Sequence, residues 1–308
     1  MAKRSSGMAG VKLFENHDDD LLAPVSTGEP QLSTPEAQLG VLGFFGQAST
    51  PAISDSLSAI TLDQSGFMAP DAAAAAGNHF GMPQFELAAF GPDAGGWSSD
   101  DTYPRELADV DGDVDGRADI VGFSSAGVYV SLATAGGHFA APALTLAAFG
   151  TNADAGGWSS DNIYPREVAD VNGDGLADIV GFSSAGVYVS LAIAEGFFDR
   201  PTFELANFGT NAGGWSSDDT YPRELADVNG DGRADIVGFG AAGVYVSLAA
   251  AGGHFAAPTF ELANFGTNAG GWSSQNLYPR ELAHVSGTGG ADIVGFASNG
   301  VWVSDSLF

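Results

Sequence analysis

The feature that most constrains this chain is a long phrase that recurs along residues 78–308. The tryptophan of the sequence GGWSS occurs four times, at Trp97, Trp158, Trp215 and Trp272. The intervals are 61, 57 and 57 residues, and small insertions near Asp109 and in residues 151–157 explain the longer first interval. A unit of this length cannot bury its apolar surface alone. Repeats of it therefore stack into an array in which each unit packs on its neighbours.

One period contains four short strand candidates and no helical periodicity. In the third copy these candidates are residues 203–208, 223–228, 234–239 and 243–249. The stretch GVYVS alternates apolar with small or polar residues, as a pleated strand does, and the linkers are rich in Gly, Asn, Asp and Pro. The sequence therefore predicts an all-β fold, namely a β-propeller of four-stranded blades.

The phase of the repeats predicts blade boundaries and a closed ring. The predicted blades are residues 84–142, 143–201, 202–258 and 259–308. The chain ends where another FELANFG strand is due, and a similar strand stands early instead, in residues 79–91. We expect residues 79–91 to complete the last blade, because ring closure removes exposed sheet edges. Residues 1–77 are unrepeated, and we expect either a partly disordered leader with a short helix or a secretion, anchoring or assembly segment.

The charge of the chain excludes some partners. It has 38 acidic residues against 10 lysines and arginines, a net charge of −28. Nucleic acid and anionic membrane surfaces would repel such a chain, so neither is expected as a partner. It has no cysteine, which excludes disulfides and thiolate metal sites. No apolar run has the length of a secretory signal or a membrane span, so we expect no membrane insertion.

Three copies of the repeat carry acids at alternate positions, followed by glycine and a further acid. This pattern matches the start of a calcium loop, where hard oxygen ligands converge as the backbone curls and the seventh residue binds through its carbonyl group. The predicted ligands are Asp111, Asp113, Asp115, Arg117 and Asp119; Asp170, Asn172, Asp174, Leu176 and Asp178; and Asp227, Asn229, Asp231, Arg233 and Asp235. A loop that starts at Asp109 does not fit, because Val114 replaces the glycine. The alternative is an acidic turn that caps its own backbone.

The fourth copy has lost this pattern. His284, Ser286 and Thr288 stand at ligand positions, and only Asp292 keeps its carboxylate. The strand that follows, ADIVGF, persists there, so the acids vary separately from the apolar pattern. The sequence therefore predicts about three Ca²⁺ sites and a degenerate fourth loop.

A second constellation, Trp-Ser-Ser-x-x-x-Tyr-Pro-Arg-Glu, is present in all four copies. Its members are Trp97, Tyr103 and Arg105; Trp158, Tyr164 and Arg166; Trp215, Tyr221 and Arg223; and Trp272, Tyr278 and Arg280. An aromatic ring beside an arginine suits a sugar, whose C–H face lies on the ring while its hydroxyl groups form hydrogen bonds. The same residues could instead wedge between blades and brace neighbouring acids. The prediction is a ligand site, with packing as the alternative.

The repeat resembles a known family. The sequences DVNGDGRADIVGFG and GVYVSLA resemble FG-GAP (VCBS-type) repeats, which build the calcium-containing propellers of integrin α subunits. Together with GGWSS and YPRELAD they resemble Psathyrella velutina lectin-like proteins. The resemblance covers about residues 78–308 and implies blades with embedded calcium and glycan binding between blades. Those propellers usually have about seven blades, within the range known for the fold, whereas four repeats are readable here. Four blades could close alone, or two chains could pool their blades.

These observations favour a calcium-binding, lectin-like protein that is not an enzyme. No Ser-His-Asp arrangement or distinct carboxylate pair stands out from the repeated pattern. The expected partners are glycans or glycoconjugates, with self-association to complete a ring. We expect an extracellular or cell-surface protein, exported without a cleavable N-terminal signal. The alternative function is a structural or protein-adhesion module in an extracellular assembly.

Overall fold

A computed structural model describes residues 80–113, 115–287 and 289–307. All of them lie within one compact unit, Ala74–Phe308. The predicted leader, residues 1–77, lies outside the described residues. In the described part of the chain, no helix has both the length and the apolar character needed to cross a membrane.

The described residues form short strands in four repeats. The first repeat contains β1 (Arg105–Ala108), β2 (Asp119–Phe123), β3 (Val128–Ser131), β4 (Ala133–Thr134), β5 (His138–Phe139) and β6 (Ala143–Leu146). The second contains β7 (Arg166–Ala169), β8 (Asp178–Phe182), β9 (Val187–Ser190), β10 (Ala192–Ile193), β11 (Phe197–Phe198) and β12 (Thr202–Leu205). The third contains β13 (Arg223–Ala226), β14 (Asp235–Phe239), β15 (Val244–Ser247), β16 (Ala249–Ala250), β17 (His254–Phe255) and β18 (Thr259–Leu262). The fourth contains β19 (Arg280–Ala283), β20 (Asp292–Ala297) and β21 (Gly300–Ser304).

The strands pair in antiparallel sheets, one to each repeat. The first sheet has the order β1-β2-β3-β6, the second β7-β8-β9-β12 and the third β13-β14-β15-β18. The fourth sheet has three strands, β19-β20-β21. A two-stranded hairpin follows each of the first three inner sets: β4-β5, β10-β11 and β16-β17. Two 3-10 turns, Ala153–Ala155 and Ala194–Gly196, are the described helical segments. The all-β prediction of four-stranded propeller blades is confirmed.

The strand pairing corrects the predicted blade boundaries. Each outer strand pairs with the VYVS strand of the repeat that precedes it and so belongs to that sheet. Thr202–Leu205, for example, pairs with β9. The sheets therefore span residues 105–146, 166–205, 223–262 and 280–304, one strand out of phase with the prediction. The hairpin connection between β9 and β12 is short, and the longer GGWSS segment then carries the chain to the next sheet.

The predicted closure of the ring is not seen in the described residues. Residues 80–90 contain no strand, and Gly91 forms only isolated bridges within its own turn. The last sheet keeps three strands.

Neighbouring sheets stack face to face. The RELA-type strands β1, β7, β13 and β19 are innermost, and each contacts the next. Between the second and third sheets, Val180, Phe182 and Val187 pack against Phe208 and Trp215. Equivalent apolar layers lie between the first and second sheets and between the third and fourth. The apolar core of the unit therefore lies between sheets.

The glycine of the DIVGF strand makes this stacking possible. A Cβ atom on Gly238 would lie 2.5 Å from the Trp215 ring and 2.6 Å from the Phe208 ring. Gly122, Gly181 and Gly295 have the same close neighbours in their own repeats. Because no side chain intervenes, the tryptophan and phenylalanine rings lie directly on the sheet.

Candidate functional site

Each acidic loop connects the innermost strand of a sheet to its second strand. The second acidic loop (residues 170–178) begins after β7, and its last acid, Asp178, is the first residue of β8. Asp178 is fully buried, and its two carboxylate oxygens accept hydrogen bonds from the backbone N–H groups of Val171 (3.1 Å) and Ala192 (2.8 Å). Asp235 makes the same pair of bonds in the third acidic loop (residues 227–235). The last acid of each loop is thus a structural closure of the hairpin as well as a potential ligand.

Backbone donors hold the remaining acids of the loop in a curl. Asp170 accepts hydrogen bonds from the N–H groups of Gly173 (2.6 Å) and Gly175 (2.8 Å). Asn172 Oδ1 accepts from the N–H of Asp174 (2.7 Å). These are Asx-type turns, so the cap predicted as the alternative to a calcium loop is present in the structure.

Burial leaves the last acids short of positive charge. Desolvation, together with the charges of Asp174 and Asp170, raises the pKa of Asp178 to about 7. Desolvation and the neighbouring loop acids raise the pKa of Asp235 to about 6. A carboxylate that is buried among other carboxylates is stabilised by a cation, and protonation is the alternative.

The first acidic loop (residues 109–119) adds a candidate to the predicted ligand set. Asp109 directly follows β1, as Asp170 follows β7, so Asp109 occupies the first position of the loop. Carboxylate oxygens of Asp109, Asp111 and Asp119 lie within 4.8 Å of one another, close enough to share an ion. Asp109 Oδ1 is buried and accepts no hydrogen bond from the described residues. The sequence argument left Asp109 out of the predicted ligands; its place after Glu-Leu-Ala was the signal that could have suggested it.

Two further acids of the first acidic loop form ion pairs with an arginine. Arg117 Nη2 forms ion pairs with Asp113, at 3.3 Å, and with Asp115. Asp115 Oδ1 also accepts a hydrogen bond from Arg117 N–H (2.7 Å), as Asp174 Oδ1 accepts from Leu176 N–H (2.9 Å) in the second acidic loop. The carbonyl groups of Arg117, Leu176 and Arg233 stay predicted ligands.

The fourth loop (residues 284–292) satisfies its one remaining acid without a cation. Asp292 accepts hydrogen bonds from the N–H groups of Val285 (2.9 Å), Ser286 (2.7 Å) and Ser306 (2.7 Å). These bonds, with that of Ser286 first, lower the pKa of Asp292 to about 2. His284 Nδ1 lies 3.1 Å from the carbonyl oxygen of Gly290.

The acidic loops also join one sheet to the next. The carbonyl group of Asp109 accepts a hydrogen bond from Ala177 N–H (2.8 Å), and that of Asp170 accepts from Ala234 N–H (2.7 Å). The carbonyl group of Asp227 accepts from Ala291 N–H (2.7 Å) in the same way. An ion that ordered these loops would therefore stabilise the stacking of sheets as well as the hairpins.

Three of the four repeated arginines, Arg166, Arg223 and Arg280, are buried between the sheets. Arg166 is fully buried; it donates to the carbonyl oxygen of Phe149 (3.3 Å) and to Asp161 (3.2 Å), and its guanidinium lies 5.4 Å from the Phe123 ring of the preceding sheet. Arg223 lies over Phe182 and Arg280 over Phe239 at the same position of their repeats. The accepting phenylalanines have positive φ, for example 58° at Phe149 and at Phe208. Each arginine thus braces a strained turn and ties its repeat to the sheet before it.

The tryptophans belong to the same packing layer. All four are buried, and each lies 5.0–5.1 Å from the phenylalanine ring that precedes it and 6.1–6.4 Å from its tyrosine. A ligand cannot reach Arg166, Arg223 or Arg280, nor lie flat on a tryptophan face, without opening the stack. The predicted ligand role of these arginines and tryptophan faces is therefore corrected to packing. The four tyrosines are half-buried, and Arg105 of the first repeat is partly exposed.

Shallow depressions remain beside two of the tryptophans. One is lined by the edge of Trp215 with Tyr221, Tyr245, Asn207 and the glycine pair 213–214. Its equivalent in the first repeat is lined by Trp97, Phe90, Tyr129 and the turn at residues 124–126. Trp215 Nε1 donates to Asn207 Oδ1 (3.2 Å), and Trp272 does the same with Asn264, whereas Ala89 and Ala148 stand at that position in the first two repeats. Aromatic edges, hydroxyl groups and amides converge here.

A polar groove between the second and third sheets was missed by the sequence argument. It is lined by Asp199, Arg200, Thr202 and Glu204 from one repeat and by His254 from the next. His254 Nδ1 lies 2.7 Å from Glu204 Oε2. No local pattern could have identified the groove, because its two walls come from neighbouring repeats.

The stack has an acidic axis. The innermost strands carry Glu106, Glu167, Glu224 and Glu281. Glu106 Oε2 accepts a hydrogen bond from the Val168 N–H of the next sheet (3.1 Å). Burial raises the pKa of Glu106 and that of Glu224 to about 8, and raises that of Glu167 well above its usual value.

The loops that follow each Trp-Ser-Ser sequence are joined to one another by hydrogen bonds. Asp101 Oδ1 accepts a hydrogen bond from Asn162 N–H (2.9 Å), and Asn162 Oδ1 accepts from Asp219 N–H (2.9 Å). Asp219 Oδ1 accepts in turn from Asn276 N–H (3.0 Å). Each loop therefore binds the next through the residue at the same position of the repeat.

Comparisons with known proteins agree with this architecture. Residues 170–238 match the family model described as an FG-GAP-like repeat. No curated protein matches the chain. A solved structure of an Agrocybe aegerita lectin, described as specifically recognising non-reducing terminal N-acetylglucosamine, is 39% identical with a TM-score of 0.68. The match covers 75% of this chain and 56% of that one, so this chain spans just over half of the lectin's length.

A more distant match is the complex TcdB2–TccC3, which is 24% identical with a TM-score of 0.36 and covers 48% of this chain and 7% of that chain. The family match falls on the second and third repeats, and the repeats before and after it have the same sequence pattern and strand order. The described residues therefore fold as blades of a β-propeller similar to those of the Agrocybe aegerita lectin, and residues 170–238 are similar to an FG-GAP-like repeat.

Proposed function

We propose that this protein is a calcium-stabilised, non-enzymatic propeller that binds carbohydrate. The observation that carries the proposal is the 39% identity to the Agrocybe aegerita lectin over nearly all of the described unit. By that similarity the first candidate ligand is a glycan with N-acetylglucosamine at its non-reducing end. The depressions beside the tryptophans supply the chemistry, because they combine apolar ring edges with a few polar groups.

Calcium fits the residues of the acidic loops. Asp109 has a buried carboxylate oxygen without a described partner, and it shares a 4.8 Å cluster with Asp111 and Asp119. The proposed ligands of the other two sites are Asp170, Asn172, Asp174 and Asp178, and Asp227, Asn229, Asp231 and Asp235. Ca²⁺ prefers six to eight oxygen ligands and supplies the positive charge that these acids lack. Such sites, of modest affinity, fit an extracellular protein, since calcium is plentiful there.

The carbohydrate would bind at the Trp-edge depressions. In the third repeat, Tyr221 and Tyr245 offer hydroxyl groups, and the edge of Trp215 offers an apolar wall beside a backbone of two glycines. Because such depressions recur on one molecule, weak single sites would gain strength on multivalent glycans. The arginines contribute by holding the aromatic layer in place.

The test is glycan-array and calorimetric binding by the full chain. We expect binding to N-acetylglucosamine-terminated glycans in calcium, with weakening or loss in EGTA as the fold loosens. Tyr245→Ala is expected to reduce the number of bound sugars, while the matched variant His254→Ala, in the groove between sheets, leaves that number unchanged.

Two outcomes would overturn this assignment. Loss of sugar in His254→Ala but not in Tyr245→Ala would move the site to the groove. A folded, calcium-loaded protein that binds no glycan would contradict the carbohydrate function and favour the structural or adhesion module.

A further inference from the structure

The last sheet lacks the strand that the other three sheets possess. In the second and third sheets, Thr202–Leu205 and Thr259–Leu262 cover the edge of the VYVS strand. The equivalent edge strand of the last sheet is Gly300–Ser304, and no described strand covers it. Its apolar residues are open to solvent, for example Val301 with 61% of its surface exposed. An uncovered apolar edge of this kind is a template for pairing with another chain.

Residues 84–90 carry the sequence that fills this position elsewhere. QFELAAF repeats the TFELANF of the second and third sheets, yet Phe85 is 85% exposed. Glu86 Oε2 lies 2.7 Å from His138 Nδ1, and Glu204 lies 2.7 Å from His254 in the same way. Residues 84–90 thus stand against the first sheet as Thr202–Leu205 stands against the third. They occupy the place of an outer strand whose own sheet is not among the described residues.

The stacking faces at the two ends are complementary as well. Arg105 retains 29% of its side-chain exposure, whereas Arg166 and its equivalents have none, because no preceding phenylalanine lies under Arg105. Leu107 on the same face is 67% exposed. At the other end, Phe296 is the exposed equivalent of Phe123, on which Arg166 lies. Glu281 is the last axial acid; its equivalent Glu106 accepts a hydrogen bond from the next sheet.

We propose that the first sheet of a second copy docks on the last sheet, and that residues 84–87 of that copy become the fourth strand. Phe203 and Phe260 lie directly opposite Tyr188 and Tyr245 in the register of their sheets. By that register, Phe85 of the second copy lies opposite Trp302. Arg105 of the second copy then lies over Phe296, and its charge offsets that of Glu281.

A second copy is the occupant that the repeat itself specifies. The three internal junctions show which surface fits each exposed face, and the same chain carries that surface at its other end. The contact is heterologous, so it closes only if the rotation from sheet to sheet completes a circle. Two copies would make a ring of eight sheets, within the usual range of about four to eight blades. The covered length of the lectin, 56%, agrees with four sheets forming an arc of a larger ring.

Mass measurement of the full chain in calcium is the first test. We expect about twice the 31.2 kDa of one chain by light scattering during size exclusion. Val303→Asp, on the exposed face of the last sheet, and Phe85→Pro, which disables strand pairing, are expected to yield monomers with unchanged circular dichroism. Ile193→Asp, at a comparably exposed site on a peripheral hairpin, is the matched control and is expected to stay dimeric.

Crosslinking identifies the interface, since the chain has no cysteine of its own. Mixing Phe85→Cys protein with Trp302→Cys protein is expected to give a disulfide-linked heterodimer, whereas Ile193→Cys with Trp302→Cys gives none. A monomeric mass at all concentrations would overturn the proposal. So would a double variant, Phe85→Cys with Trp302→Cys in one chain, that crosslinks only within itself, because that result means four sheets close alone.

Discussion

The second and fourth acidic loops differ in how they stabilise the buried aspartate at their end. In both, a buried carboxylate closes the hairpin between the innermost strand and its neighbour. In the second loop, Asp178 bonds to two backbone N–H groups and lies among further acids, so its pKa rises to about 7. In the fourth loop, Asp292 accepts from three backbone N–H groups and the acids are gone, so its pKa falls to about 2.

The comparison shows that the hairpin does not need its acids. The DIVGF strand forms in the same register in both sheets, with Asp178 opposite Ala169 and Asp292 opposite Ala283. The extra acids of the first three loops therefore add charge that the fold itself does not require. The proposed calcium ions would account for these acids. In the fourth loop their loss is tolerated because backbone N–H groups and Ser286 satisfy Asp292.

The largest expected effect is the removal of calcium. If each of three sites is saturated about 100-fold above its Kd, each adds about 2.7 kcal/mol to the free energy of unfolding. For a domain of this size that corresponds to a fall in Tm of roughly 20 °C in excess EGTA, measured by calorimetry. A melting temperature that is the same in millimolar calcium and in EGTA would break the comparison, since all four loops would then be self-sufficient.

A smaller effect separates the two registers of the first acidic loop. Asp109→Ala is expected to remove one of three bound calcium ions and to lower the Tm in calcium by about 5–10 °C, because it deletes one site. Asp113→Ala is the matched control, since Asp113 pairs with Arg117; calcium stoichiometry should stay at three. The ions are counted by equilibrium dialysis or native mass spectrometry. The reverse pattern would restore the register that begins at Asp111.

Rebuilding the fourth loop sharpens the comparison in the opposite direction. His284→Asp, Ser286→Asn and Thr288→Asp together restore the ligand pattern of the second loop. We expect one additional bound calcium ion and a Tm gain of about 5 °C in calcium, with a loss of stability in EGTA because like charges then repel. An increase in Tm that also appears in EGTA would show that the gain does not come from the ion.

The smallest effect concerns a buried acid outside the loops. Burial, with Glu281 and Asp218 nearby, raises the pKa of Glu224 to about 8, and Arg280 opposes this rise. Because the folded state holds the proton more tightly, the stabilising contribution is complete below about pH 4.5 and is lost as the pH rises through 8. Glu224→Gln is therefore expected to raise the Tm at pH 9 by about 2–4 °C and to have little effect at pH 5. The measurement is a pH series of melting curves in EGTA. A gain in Tm at pH 9 that appeared only when calcium was added would contradict this explanation.

Local patterns predicted much of the fold and part of the site. The repeat length and the strands at ADIVGF and GVYVS depend on residues close together in the chain, and the observed sheets confirm them. The acidic loops were found for the same reason, since their ligands fall within a short stretch. Asp109 was left out because Val114 stands where a loop that begins at Asp109 needs glycine, and only the strand ends show that Asp109 directly follows β1.

Contacts between repeats could not be predicted from those patterns. The burial of Arg166 over Phe123, the ownership of Thr202–Leu205 by the preceding sheet and the groove at His254 each join residues from neighbouring repeats. A sequence motif records which residue types are present, but not which of their faces another sheet covers. The predicted ligand role of the buried arginines and of the tryptophan faces was corrected for this reason.

By itself, the sequence determined the repeating unit, its strands and the acid-rich turns, because each of these depends on short-range spacing and backbone preference. Only the tertiary structure decided where one blade ends, which acid begins the first loop, and which faces are left uncovered at the two ends. The physical reason is that strand pairing and burial are set by surfaces about one full repeat apart in the chain, and these are brought together only when the sheets stack.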